Sequence, residues 1–533
     1  MKRLTMVASI GLVLAALVGF SWRDASGAKE TAAKDVFCGY LTSEPASLDP
    51  ARGVDVAESS VQAKLFNGLV RFDDNLRLVG DLAESWEISP DGKTYTFKLR
   101  PNLKFHDGTP CTAADVAFSF ERVLDPATRS PRTWVLDRIV GAKDRLAGKA
   151  EKTSGLSVTD GRTVVVTLEQ PFAPFISLLA MPAAYVLPER HAVAIKDGSF
   201  FGKPFGTGPF VLSARERDRY LRLERNTSYH GETPAISALQ YRVITEPMKA
   251  ELEFESGALD ILQLYPSNYD RFSAIPENVP RMRELPAMNV FYMGLNNQKP
   301  PFNDVRVRQA LNHLIDRQGI LEAVYKGRGV PARGSIPPSI LGHMDGQPGY
   351  DYDPARGEAL LKEAGYSKKN PLRFELFQKS SQAAFEITQL LQGELRKAGV
   401  EITLRPMEWG ALKEAIDKGE ALAFYLSWFG DYPDGENFLV PLFHSRNFGS
   451  GGNRAHYANP KVDALLDEVV RIQDPTKRAE AYDRVHRLIV AEAPWVFLWH
   501  LKETYLLGPR VSAMTMNPMY SVDKGTGIHL AVR

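Results

Sequence analysis

In the stretch SWFGDYPDGENF, from Ser427 to Phe438, an apolar run ends and three acids, Asp431, Asp434 and Glu436, stand among aromatics and glycines. Two chemistries are open to such residues. A pair drawn from the three carboxylates could work as general acid and base. A single carboxylate shielded by Trp428 and Phe429 could instead hold a cation, through a charge-assisted bond worth about 1.5 to 3 kcal/mol. The Pro433-Asp434-Gly435 turn favours a third outcome on spacing alone, in which the acids are solvated.

Elsewhere the chain carries no nucleophile elbow, no H-E-x-x-H helix, no Walker loop and no cluster of Cys and His ligands. The absence of these motifs weakens the case for an enzyme without closing it, and no metal site or cofactor motif is expected. GRGVPA, Gly327 to Ala332, mimics a dinucleotide fingerprint, but Pro331 interrupts it and a helix precedes it, so it is predicted to be a loop. His106 sits in a turn beside Asp107 and Gly108, while His444, His456 and His500 are scattered, a pattern expected of structural histidines. Cys38 and Cys111 are the only cysteines; both fall in strands or strand ends and are expected to be buried thiols, with a single disulfide as the alternative.

The elements that must position these groups are legible. Thr94 to Leu99 alternates polar and apolar residues after a Pro90-Asp91-Gly92 turn, predicting an antiparallel pair. Thr112, with Asp115 three residues on, caps a helix whose Val116, Ala117, Phe120, Val123 and Leu124 share one face. Asn303 or Asp304 caps another, with Val307, Ala310, Leu311, Leu314 and Ile315 turned inward and Arg306, Arg308 and Arg317 toward water. Strands at 289–295, 372–377 and 400–404 alternate with helices at 353–364 and 383–397, which predicts an α/β region with a mixed or partly parallel sheet.

A length of 533 residues suggests about three domains. A net charge of +1 gives no reason to expect nucleic acid or an anionic membrane as a partner. Lys2 and Arg3 precede a short apolar run, and Ser26, Gly27 and Ala28 follow it, so a signal peptide cleaved near Ala28 is expected; an uncleaved anchor is the alternative. No cysteine ends that run to accept a lipid, and an exported soluble protein is the expectation.

Several segments in order carry a resemblance. LAESWEISPDGKTYTFKLRPNLKFHDGTPCTAADVAFSFERVLDP, GTGPFVL (206–212), LERNTSYHGETP (223–234), LNNQKPPFNDVRVRQALNHLIDR (295–317), EWG (408–410), SWFGDYPDGENFL (427–439) and NRAHYANPKVDALLDE (453–468) together resemble the family 5 extracytoplasmic solute-binding proteins, the peptide receptors of ABC importers. The resemblance implies an α/β, two-lobe hinged periplasmic-binding-protein fold with an extra domain inserted in the first lobe. Domain I would comprise 35–76, 205–288 and 503–533, domain II 77–204 and domain III 289–502. The chain would cross between lobes near 289–296 and 500–505.

By the same resemblance Asp431 takes the ligand's α-ammonium, with Trp428 beside it, and Trp409 of EWG lies over ligand side chains. Asp434 and Glu436 are left as solvated or turn-forming residues. Lys379 stands nearest to the arginine that holds the ligand carboxylate in dipeptide-type members, one residue out of step, and lysine offers a point charge where arginine offers a fork. Asn453 and Arg454, in the glycine-rich GSGGNR, match a pocket-lining loop, whose Gly449, Gly451 and Gly452 would let backbone approach a ligand. The implied protein is a periplasmic monomer without catalysis or cofactor, whose partners are a peptide ligand and a membrane-embedded ABC permease. The alternatives are another ligand of the family (a nickel complex, opine, oligosaccharide or haem) and a secreted peptide hydrolase using Asp431 with Asp434.

Overall fold

A computed structural model describes residues 35–338, 340–519 and 523–531. The expected signal peptide and its cleavage near Ala28 lie outside the described residues.

The secondary structure gathers into three main sheet units. In the first, Val36–Leu41 pairs in parallel with Ala238–Val243, and Tyr220–Arg225 and Phe210–Glu216 follow antiparallel. Phe37, Val61, Phe66, Phe210 and Leu223 form its core. The second is an antiparallel meander of Ala83–Ile88, Thr94–Leu99, Thr163–Thr167 and Leu156–Asp160. Here Tyr95, Phe97 and Leu99 point inward with the period of two expected of a half-buried strand. The helix Ala113–Leu124 begins with the expected capping box: the Thr112 N–H and hydroxyl both donate to the Asp115 carboxylate, at 2.8 and 2.9 Å. Val116, Phe120, Val123 and Leu124 are fully buried and Ala117 half-buried.

The third unit is an eight-stranded mixed sheet. Leu372–Lys379 runs parallel to both Val400–Met407 and Ala423–Phe429, and Ala423–Phe429 runs antiparallel to Asn289–Leu295. At its centre stands the thirteen-residue strand Trp495–Leu507. The first part of that strand pairs with Asn289–Leu295 and Gly329–Pro331, and the second with Ile261–Leu264 and Met282–Pro286. Only Ala287 and Met288 separate Met282–Pro286 from Asn289–Leu295, so two adjacent antiparallel runs pass together from one region into the next. Their junction is pinned by side chains. The Asn289 carbonyl accepts from Nδ1 of His500 at 2.7 Å, and its side-chain oxygen accepts from the Leu501 N–H at 2.9 Å. Burial holds His500 down at about 4, so its imidazole is neutral at physiological pH.

The structure corrects three expectations. Gly329–Pro331, read as a loop, is a short strand paired with Leu501, His500 and Trp499. The helix expected to run from Asp304 to Arg317 is two, Val305–His313 and Arg317–Tyr325, each capped by an aspartate, Asp304 and Asp316. Of the three arginines expected to face water only Arg306 is exposed. Arg308 and Arg317 are 6% and 3% exposed because backbone carbonyls take their donors: Phe302, Glu492 and Ala493 for Arg308, and Asn312, Tyr350 and Phe497 for Arg317. Glu492 and Ala493 end the helix Pro475–Glu492, where carbonyls lack intrahelical partners and a cation is favoured. Cys38 and Cys111 are buried free thiols. Among the described residues no helix is long and apolar enough to cross a membrane.

Candidate functional site

Two adjoining cavities of about 280 and 760 Å³ share Phe429 and Glu503 in their walls and form one cleft. The strand Ala423–Phe429 leads into it and places Asp431 in the wall of the smaller cavity. The Asp431 N–H donates to the Asn437 side-chain oxygen at 2.9 Å, which fixes the turn. Its carboxylate lies 3.3 Å from the guanidinium of Arg132, which belongs to the second sheet unit and also donates to the Val54 carbonyl at 3.2 Å. The Asp431 side chain is 31% exposed, yet protein surrounds the carboxyl closely. That burial raises it above the ordinary carboxylate range, and Arg132 and Asn437 only partly offset the rise.

Trp409 and Lys379 line the larger cavity with Phe429. Trp409 is no core aromatic. It is 41% exposed, opens the helix Trp409–Asp417, and has the Lys413 ammonium 5.2 Å from its ring. The Glu408 side chain caps that helix through the Gly410 N–H at 2.6 Å, which accounts for the acid and the glycine of EWG. Lys379 is exposed where Leu372–Lys379 ends, at the rim. Leu264, Phe291, Tyr425 and Leu426 add apolar surface to the wall, which also carries the charged Arg328, Glu386, Lys502 and Glu503. A volume of this order suits a small organic ligand or a few residues of peptide.

Trp428 lies apart from these groups. It is opposite Val290 in the sheet and packs on the large core that runs through Val290, Tyr292 and Phe438, while its neighbour Phe429 is 55% exposed in the cleft. Alternation along a strand separates the two aromatics that the sequence places together. Asn453 and Arg454 are also elsewhere. Asn453 is fully buried, its amide donating to the His444 and Tyr457 carbonyls and its oxygen accepting from the Tyr457 N–H. Arg454 stands 3.3 Å from Asp417. The glycines of their loop serve the chain itself: a Cβ on Gly449 would lie 2.8 Å from the Asp417 carbonyl, and Gly452, at φ +122°, would place one 2.6 Å from that of Pro441.

Asp434 and Glu436 are not solvated; they are 2% and 3% exposed. Asp434 lies 3.2 Å from Arg478 and accepts from the Tyr482 hydroxyl at 2.5 Å and from the Glu436 N–H at 3.0 Å. Glu436 accepts from the Tyr432 hydroxyl, and burial pushes its carboxyl up to about 7. Both acids thus anchor the turn behind Asp431, and an Asp431 and Asp434 acid–base pair is not formed. Arg132, Arg328 and Glu503 are cleft residues that sequence reasoning missed. Nothing in the local pattern marks the first, and Arg328 lay inside the GRGVPA segment. Among the described residues no group of three or more His, Cys, Asp or Glu could hold a metal ion.

Residues 77–450 match the family model described as bacterial extracellular solute-binding proteins, family 5 middle. The chain is 33% identical over 489 residues to the probable deoxycholate-binding periplasmic protein YgiS of Escherichia coli, covering 89% of this chain and 90% of that one. It is 31% identical over 454 residues to the dipeptide-binding protein of Escherichia coli, covering 82% and 83%. Among solved structures, the unliganded open form of the murein tripeptide-binding protein MppA superposes with a TM-score of 0.82 at 27% identity, covering 94% of this chain and 98% of that one. Haemophilus influenzae OppA in complex with the peptide RPPGFSPFR gives 0.72, also at 27% identity, with 93% and 99% covered.

Proposed function

This chain belongs to the family 5 bacterial extracellular solute-binding proteins, and from that premise we propose that it captures short peptides by their free amino terminus and delivers them to a membrane-embedded ABC permease. It is a periplasmic-type binding protein of ABC transporters and not an enzyme. The observation that carries the peptide reading is Asp431. Its carboxylate faces the cleft, is held above its ordinary range by burial, and already has a cation, Arg132, at 3.3 Å. An α-ammonium brought to the same carboxylate would gain a charge-assisted bond in partly desolvated surroundings.

Capture is by closure. Domain I (35–76, 205–288 and 503–533), with the inserted domain II (77–204), would move against domain III (289–502). The hinge would lie where Met282–Pro286 passes into Asn289–Leu295 beside Trp495–Leu507. The receptor is taken to act as a monomer. Native mass spectrometry of the mature chain, purified without refolding, tests the ligand: release of short peptides with free amino termini is expected, and a single non-peptide mass would displace the reading.

The apolar wall around Trp409, Phe291 and Leu426 favours one second reading, an amphipathic ligand with a large hydrocarbon body. A relative named as probably deoxycholate-binding makes that ligand class the first to titrate after peptides.

A further inference from the structure

The ion pair at Asp431 joins two sheet units across the smaller cavity. Arg132 lies in the irregular segment that follows the helix Ala113–Leu124 of the second unit, and Asp431 follows the strand Ala423–Phe429 of the third. Each partner is fixed on its own side. The Ser130 hydroxyl donates to the Ala51 carbonyl at 2.5 Å and accepts from the Arg132 N–H at 3.1 Å, while Arg52 donates to the Thr128 carbonyl at 3.2 Å. Arg132 Nη2 donates to the Val54 carbonyl at 3.2 Å, which ties the guanidinium to the wall formed by Gly53, Val54 and Val56. The turn carrying Asp431 is tied instead to Asn437. Only Nη1 crosses to the carboxylate, at 3.3 Å, longer than the about 2.7–2.9 Å of a strong charge-assisted bond. With side chains 23% and 31% exposed, such a pair is readily exchanged. No other basic side chain pairs with Asp431 among the described residues. The chain thus supplies its own cation, loosely held, where a peptide's ammonium would have to stand.

We propose that Arg132 is an internal competitor for the ligand's α-ammonium: it occupies the Asp431 carboxylate in the free receptor and yields it when a peptide enters. The inference rests on the peptide reading above. An ammonium is the better partner, because it is compact and can turn its donors toward one carboxylate, whereas the guanidinium divides its fork between Asp431 and Val54. Eviction leaves Arg132 its bond to Val54 and turns its other donors to water, which its side chain already meets. While in place, the guanidinium opposes the effect of burial on the Asp431 carboxyl and keeps it ready for a cation. A neutral amino terminus brings no charge to exchange and leaves the pair intact. Part of the ammonium's binding free energy goes into breaking the internal pair, so Arg132 sets how tightly charged amino termini are held.

The test is calorimetric titration of the mature chain with alanine peptides of about two to five residues, each with a free and with an acetylated amino terminus. Buffering at about pH 8 keeps Asp431 ionised throughout. Wild type is compared with Arg132→Gln and Arg132→Lys, and Asp431→Asn with the Asp431→Asn, Arg132→Gln double variant. Arg132→Gln is expected to tighten binding of the free-amine peptides by about two- to fivefold, the range of an ion pair this exposed, and to leave the acetylated peptides unmoved. Arg132→Lys should restore the competition, and the gain should vanish in the Asp431→Asn background. If Arg132→Gln weakens free-amine peptides or leaves them unchanged, Arg132 is not a competitor. A gain shared by acetylated peptides, or one that survives Asp431→Asn, also overturns the inference; in all these cases the peptide reading stands. If no peptide binds wild type, the peptide reading falls and this inference with it. Thermal melts separate these outcomes from loss of fold, and Arg132→Ala replaces Arg132→Gln should the latter not fold.

Discussion

The guanidinium of Arg132 lies 3.3 Å from the carboxylate of Asp431, although 299 residues and two different sheet units separate them. With side chains 23% and 31% exposed, the pair contributes little to stability by itself. Its importance is positional, because it shows where a cation is favoured in the cleft. A ligand ammonium arriving there must share Asp431 with Arg132 or displace it.

Replacing Asp431 by Asn should therefore weaken binding of peptides with free amino termini by about 10- to 100-fold, the loss expected for one charge-assisted hydrogen bond. N-acetylated peptides should be nearly unaffected. Calorimetry on matched free and acetylated peptides checks this, and equal losses for both would remove Asp431 from the ammonium site.

Binding should also depend on pH in a defined direction. Burial raises the Asp431 carboxyl in the free protein, and a bound ammonium would lower it, so peptide binding releases a proton. Affinity is then complete above the free-state value and falls as pH drops through it, by about tenfold per unit until the bound-state value is reached. Titrations between about pH 4 and 7 measure this, and Asp431→Asn should flatten the profile.

The two tryptophans should separate by type of loss. Trp409→Ala removes an exposed cleft surface and should weaken binding with little change in melting temperature. Trp428→Ala removes a side chain packed on the core and should destabilise the fold by about 3 kcal/mol, with affinity at low temperature close to wild type. Thermal denaturation beside calorimetry decides, and the reverse pattern would exchange their roles.

Glu436 makes the fold itself sensitive to pH. Its folded-state value near 7 stands above the ordinary 4.5, so between these values the folded chain keeps a proton that the unfolded chain has released. The stability it contributes is complete below about 4.5 and is lost as pH rises through about 7. Glu436→Gln should flatten that decline, which for one proton approaches about 1.4 kcal/mol per pH unit. Denaturant unfolding at stepped pH checks the slope, and identical profiles in the two proteins would show that Glu436 does not titrate in this window.

Local rules were legible without a structure. The capping box of Thr112 and Asp115, the alternation of Thr94 to Leu99 and the strand-helix order from 289 to 404 all depend on near neighbours, so residue spacing alone determined them. Asp431 could be singled out because its surrounding segment is distinctive. Spacing could not say which acids of SWFGDYPDGENF face solvent, because Asp434 and Glu436 are buried by Arg478, Tyr482 and Tyr432, and of these only Tyr432 lies in that segment. Nor could it separate Trp428 from Phe429, or move Arg308 and Arg317 inward, since carbonyls from distant segments take those guanidinium donors. Arg132 and Arg328 reach the cleft only after sheets from separate parts of the chain meet there. Types, caps and periods were thus set by the sequence, whereas charge partners and burial were decided by tertiary contacts, from 44 positions apart for Asp434 and Arg478 to 299 for Arg132 and Asp431.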